Sequence, residues 1–571
     1  MNTTKQIVKV GVIAGTGALI YKYLSSPKCK ELKLKPCKIN RNKTEEIRVH
    51  LIGGGIGSLA AAAYLIRDCN IKGKNITIYE GLKILGGSND GAGNPSTGFI
   101  CRGGRMLNEE TYENFWELLD SIPSLDMPGM SVTEEILNFD HLHPTKAQAR
   151  LINRDGVILD VHSMGFNFCD RLALLSLMLT PERLLDNLTI QDWFKYTPHF
   201  FKTNFWYMWQ TTFAFQPWSS VFELRRYMNR MIFEFSRIET LEGVTRTPYN
   251  QYESVIVPLA TYLKKFDVNF VKDALVTDID FAPGSEITTT ALHIKKADSK
   301  EKIVHLSKQD ICIMTNGCMT DCATLGDLDK KAPYLTQNPM SAELWNKIAK
   351  KKSGLGNPKP FFNHPEQTNW ESFTVTMKGN KLLKIIEQYT HNVPGSGALM
   401  TFKDSNWLMS IVVAAQPHFK AQPMDTTIFW GYGLYTNKLG NYIKKPMLEC
   451  TGREIFTELL YHLHLMEDSK EIWDSVVNVI PCMMPYIDAQ FQPRKMSDRP
   501  SVVPKGSTNF AMISQFVEIP EDMVFTEEYS VRAARIAVYT LMNMKRKKIR
   551  PVTPYNRQPK VLLNAIKTSF R

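Results

Sequence analysis

The chain has 571 residues, 43% of them hydrophobic and 22% charged, a globular composition long enough for more than one core, which excludes a disordered or low-complexity protein. Its net charge of +12 sits in two tails, residues 1–50 with eleven Lys/Arg against three acids and residues 541–571 with nine against none, which excludes a basic nucleic-acid groove in the body. Ten scattered cysteines form no paired CxxC set, which excludes a disulfide scaffold and implies reduced thiols in a cytosol-like compartment.

Residues 1–46 are expected to form an N-terminal hydrophobic anchor and a basic linker. Residues 10–21 are uncharged and lie between Lys9 and Lys22. Twelve residues are short for a span, and eighteen are reached only if those lysines snorkel. A secretory signal is the rival, but no A-x-A site follows. The basic segment behind the run would keep the body on the cytosolic side, membrane-associated, with a cytoplasmic protein as the alternative. The tails suit an anionic membrane surface, within a Debye length of which clustered charges act.

Residues 49–58 read VHLIGGGIGS, LAAAAYLIR follows, and residues 76–80 read ITIYE. An apolar run, a glycine turn, a helical stretch and a second apolar run ending on an acid form the β-α-β unit that cradles a dinucleotide. Gly53 makes the tight turn, Gly55 admits the pyrophosphate, and Ile56 and Ser58 open the helix, with Ser58 in place of a third glycine. Free N–H groups at the helix start meet the anion. Glu80 is placed to accept the ribose hydroxyls. Gly86, Gly87 and Ser88 and then Arg102 and Arg105 bring backbone and cationic groups to a ligand.

Residues 109–240 are rich in aromatics, Met and Leu at helical spacings, and read as a mainly helical insert. They are either a packed core or the wall of a long apolar ligand site. Strand alternation returns at 269–281, with Val276 within it, and at 287–294; an apolar run at 310–317 ends in a glycine turn. Residues 330–479 mix helices and aromatic strands. The segment from 480, which includes Asn509 and Phe510, leads to a helix over 527–544 and a basic tail over 545–571 carrying Val561, Leu562, Leu563 and Ile566, a surface-seeking helix. His462 and His464, two apart, suit a strand better than a helical metal pair, and no metal site is expected. The division is a nucleotide domain in three parts (47–108, 241–329, 480–544), a substrate or lid insert (109–240) and a substrate domain (330–479).

The motifs GGGIGSLAAAAYLIRD, RGGRMLNEETYENFWELLDSIPSL, WQTTFAFQPW, YNQYES, QPHF, FWGYGLY and PCMMPYIDAQFQPR, in this order between residues 48 and 544, resemble the oleate hydratase (myosin-cross-reactive antigen) family. The resemblance implies an α/β fold: a Rossmann-like FAD-binding domain of the two-dinucleotide flavoprotein type, an interleaved α+β substrate domain and a C-terminal helical tail. Its cofactor residues fall at Gly53, Gly55, Ile56, Ser58, Glu80, Gly86, Gly87, Ser88, Arg105, Val276, Asn509 and Phe510. It implies an FAD-requiring hydro-lyase that adds water across a cis double bond of an unsaturated long-chain fatty acid, with the flavin active in its reduced form, and it is compatible with a homodimer.

Carried over residue by residue, the family's proton-donating tyrosine falls at Tyr227, and its carboxylate-binding glutamine and histidine at Gln251 and His418. The family's water-activating glutamate falls at Met106, which accepts no proton at neutral pH. Glu109 and Glu110, one turn on, are candidates to replace it. A threonine and an asparagine of the head-group site fall at Val412 and Ala414, with Arg105 or a lysine as the compensating group. Two other functions stay open: a flavin-dependent lipid redox or isomerising enzyme, and a fatty-acid- and FAD-binding protein that has lost catalysis.

Overall fold

A computed structural model describes residues 37, 39, 41, 44–89, 91–103, 106–296, 300–337, 339–397, 399–544 and 549–571. The expected anchor at residues 7–24 lies outside them, and no described helix is long and apolar enough to cross a membrane. The linker's Arg41 is in place and buried: its guanidinium donates to the carbonyls of Gln309, Thr508 and Leu541.

The first sheet is parallel throughout. Strands β1 (Val49–Ile52), β2 (Ile76–Tyr79), β3 (Asn269–Val271), β4 (Ile311–Thr315) and β5 (Phe510–Ile513) take the order β5-β4-β1-β2-β3. All four residues of β1 are buried, as a strand covered on both faces requires. Helix α1 (Ile56–Cys69) lies over it and ends at Asn70 in the left-handed conformation. Its run Ala60 to Ala63 has almost no exposure and brings α1 close to a second helix, α2 (Glu527–Leu541).

Every residue of α2 is buried, charged ones included. Burying such charge is tolerated only with partners. Glu528 accepts from the backbone N–H groups of Asn114 and Phe115 and from the Asn114 amide, and Arg532 meets Glu113, Asp522 and Glu528. The helix ends at Leu541, three residues before the expected 544.

The second sheet has seven strands and is built around Trp370–Lys378, antiparallel to both Thr426–Gly433 and Val476–Met484. The hairpin Gly91–Asn94/Gly98–Cys101 docks on it through Phe99 N–H to Thr376 Oγ1 (3.0 Å) and Cys101 N–H to Thr374 Oγ1 (2.9 Å). That contact carries Arg102, Gly103 and Met106 to the junction of the two sheets. Helices between residues 113 and 230 cover the junction; three of them start with reciprocal capping boxes, at Ser131/Glu134, Asn167/Asp170 and Thr189/Asp192. A fourth box, Thr451/Glu454, starts the helix Gly452–His462, so His462 ends a helix instead of lying in a strand. The tail forms a helix, Pro559–Ser569, held by Arg171 Nε to Ser569 O (2.6 Å) and Arg571 to Glu239 (3.1 Å).

Candidate active site

Three cavities meet at the junction of the sheets. The largest, about 540 Å³, opens at the C-terminal ends of β1 and β4, where ligands of parallel sheets bind. Gly53 turns with φ +93°, and a side chain there would press on Thr315 Oγ1 at 3.0 Å. Gly54 is the more crowded: a Cβ would stand 2.7 Å from Leu85 Cδ2 and 2.9 Å from Glu80 Oε2. Gly55 caps α1 without a side-chain bond, so the first N–H groups of the helix are left for a ligand. A Cβ on Gly87 would lie 3.2 Å from the Gly55 Cα, so two glycine backbones face each other across the cradle. Glu80 lines the cavity, and its carboxylate accepts from Gly54 N–H (2.6 Å) and Leu82 N–H (2.8 Å); burial nevertheless pushes its pKa upward. The cradle fits a dinucleotide in volume, glycine placement and helix geometry.

Ile56, Gly86, Ser88 and Val276 also line this cavity. Three predicted cofactor residues do not. Ser58 is wholly buried on the packed side of α1. Asn509 donates to Thr289 O and accepts from Thr289 N–H, tying β5 to a neighbouring strand. Phe510 is enclosed in β5 against Phe281. The stretch that returns to the cavity is instead Ile513, Ser514 and Gln515, with Phe525, Thr526 and Glu527. Arg105 lies outside the described residues; Arg102 is on the wall.

The second chamber, about 110 Å³, is lined by Met106, Tyr112, Phe213, Tyr227, Trp430 and Tyr432, among others, and shares Phe525, Thr526 and Glu527 with the first. Tyr227 comes from the helix Val221–Arg230, and its O–H donates to Val524 O at 2.6 Å. Phe213 and Phe215 meet its ring edge-on at 5.2 and 5.0 Å. Burial holds its phenol neutral, far above its ordinary pKa. Met106 is on the same wall, so the tyrosine expected as proton donor and the position where the family's glutamate was expected face one chamber. Neither proposed substitute reaches it: Glu109 is exposed, and Glu110 pairs with Arg237 at 3.0 Å outside the wall.

The third chamber, about 40 Å³, adjoins both others: it shares Ser88, Asn89 and Arg102 with the first, and Gly103 and Trp430 with the second. Gln251, His418 and Ala414 line it. Both polar atoms of Gln251 are buried without a protein partner. Val412 is buried in its strand and is not on the wall. Desolvation, reinforced by Arg246, pushes His418 down to about 4, so it is neutral at pH 7. Arg246 was not foreseen. It is 8% exposed, its Nε and Nη2 have no protein partner, and burial lowers its pKa to about 10. Asp140 partly offsets the burial of this guanidinium, and an anion in the chamber would offset the rest.

The model of the MCRA family matches residues 46–539. The chain belongs to the MCRA family. Among curated members similar to it, the linoleate hydratase of Lactiplantibacillus plantarum is 41% identical over 560 residues, covering 91% of this chain and 98% of that one. The oleate hydratase of Streptococcus pyogenes serotype M49 (strain NZ131) is 37% identical over 508 residues, covering 87% and 85%. Among solved structures, cyclohexylamine oxidase from Brevibacterium oxydans IH-35A matches with a TM-score of 0.52 at 13% identity, over 88% of this chain and all of that one. That likeness concerns the fold, and the expected α/β flavoprotein architecture is the one this MCRA chain adopts.

Proposed function

We propose that this chain is an FAD-requiring hydro-lyase that adds water across a cis double bond of an unsaturated long-chain fatty acid, oleate or a close relative, to give a hydroxy fatty acid. The observation that carries the reading is the neutral Tyr227 phenol in an aromatic chamber that adjoins a dinucleotide cradle and a cationic chamber. The names of the two hydratase relatives support it.

The fatty carboxylate sits against Arg246, Gln251 and His418, and its chain runs past Trp430 into the second chamber. Fixing the head fixes which alkene carbon meets Tyr227, since positioning sets regiochemistry when the alkene itself is a poor electrophile. On binding, the Tyr227 O–H turns from Val524 O to that carbon and delivers a proton while water attacks the other. The glycine turn of Gly53 to Gly55, with Gly86, Gly87 and Glu80, holds FAD, which when bound in its reduced form supplies a charged planar wall and no net electron transfer. The Pro559–Ser569 helix, with Leu563 and Ile566 exposed among basic residues, meets the cytosolic face of a membrane from which the substrate comes.

The test is full-length protein given oleate, FAD and a reductant, followed by mass spectrometry for the gain of one water. Wild type is expected to form hydroxy acid, and Tyr227→Phe to lose about 100-fold or more in kcat while retaining flavin. A Tyr227→Phe protein as fast as wild type would remove the phenol from the mechanism.

A further inference from the structure

With methionine at position 106, the water's proton must go to another group on the chamber wall. Among the described residues, two carboxylates line that chamber, Glu234 and Glu527. Glu234 already has a structural duty. Its Oε1 accepts from Asn108 Nδ2 (3.0 Å) and from Arg237, which also binds Glu110, and it stands on wall that the nucleotide cavity does not share.

Glu527 stands on the partition between the two cavities. It is three residues from Val524, whose carbonyl accepts the Tyr227 O–H, so one short segment carries both the carboxylate and the group that aims the phenol. It is also the first residue of α2, whose positive dipole end lies beside the carboxylate. The Asn89 amide, in the turn that follows Gly87, donates to Glu527 Oε1 and fixes its orientation. The orienting group of the carboxylate thus belongs to the cofactor cradle.

Building on the hydratase reading, we propose that Glu527 is the catalytic residue that removes a proton from the attacking water, in the role that Met106 cannot fill. The water oxygen bonds to one alkene carbon as an O–H bond breaks and its proton passes to the Glu527 carboxylate. The Tyr227 phenol gives its proton to the other carbon. Proton transfer from the Glu527 carboxyl back to the Tyr227 phenolate, through solvent, restores both groups, so one water is consumed and no electrons are exchanged.

The experiment uses flavin-loaded full-length enzyme and compares wild type, Glu527→Gln, Glu234→Gln and the double variant Glu527→Gln/Met106→Glu. Hydroxy-acid formation, the KM for oleate and flavin stoichiometry by absorbance are measured on each. Glu527→Gln is expected to lower kcat by about 100-fold or more with KM and flavin content nearly unchanged. Restoring a carboxylate at position 106 is expected to return about tenfold or more of that loss. Turnover of Glu527→Gln within about threefold of wild type overturns the assignment, as does a loss explained by missing flavin. So does a Glu234→Gln variant that alone carries the kcat loss. Wild-type protein that binds oleate and flavin but adds no water fails earlier, before any variant, and overturns the hydratase reading together with this assignment.

Discussion

Arg246 brings a full charge into the chamber of Gln251 and His418. Its guanidinium is buried, two of its nitrogens have no protein partner, and it faces Gln251, whose amide is equally unpartnered. Ala414, where the family's polar group was expected, shares its chamber with this full charge, whereas Val412 is off the wall. Arg246→Met is expected to raise the KM for oleate by about 10- to 100-fold, the worth of charge-assisted bonds, and to change little with the methyl ester. Equal losses for acid and ester would assign Arg246 to packing instead. The motif YNQY made Gln251 legible, and QPHF made His418 legible. Arg246 was not legible, because its signal is a lack of partners, which exists only once the chain is folded. Glu527 was hidden for a related reason: in sequence it is one acid of a helix start, and only the fold places it on a partition.

At the scale of the element, the glycine turn between β1 and α1 does two things. It frees the helix N-terminus, and it lets Glu80 fold back to accept from Gly54 N–H. The crowded member is Gly54, where a Cβ would meet Leu85 and Glu80. Gly54→Val is expected to yield folded protein that is colourless when purified with FAD, checked by absorbance and by circular dichroism. Retained yellow colour would mean that the turn gives way without losing the cradle. The strand–turn–helix pattern was readable because its spacing is local. The cofactor residues placed at Ser58, Asn509 and Phe510 were displaced by contacts that are not local: close packing of α1, the side-chain bonds of Asn509 to Thr289, and Phe281 over Phe510.

At the scale of the whole molecule, His50 links proton binding to folding. It lies in β1, its Nδ1 is 3.1 Å from Tyr79 Oη, and its Nε2 has no partner. Burial lowers its pKa from 6.5 to about 4, against the pull of Asp310. The unfolded chain therefore binds this proton first as pH falls. The stability that His50 contributes is complete above about pH 6.5 and is lost as pH falls towards 4, a change of about 3 kcal/mol. The stability difference between wild type and His50→Gln is expected to shrink by that order over this window in urea titrations. A difference independent of pH would show that His50 is not buried neutral.

The sequence by itself determined the dinucleotide-binding unit and the family, and it placed the expected proton donor at Tyr227 and a methionine at position 106, because each is written in local spacing or in a contiguous motif. Tertiary structure alone decided that the three cavities adjoin, that two nitrogens of the buried Arg246 guanidinium have no protein partner, and that Glu527 lines both the cofactor cradle and the chamber of Tyr227. Residues 53, 106, 227, 418 and 527 come from segments far apart in the chain, and their chemistry depends on desolvation and on distances that arise only when the two sheets and α2 close around one junction.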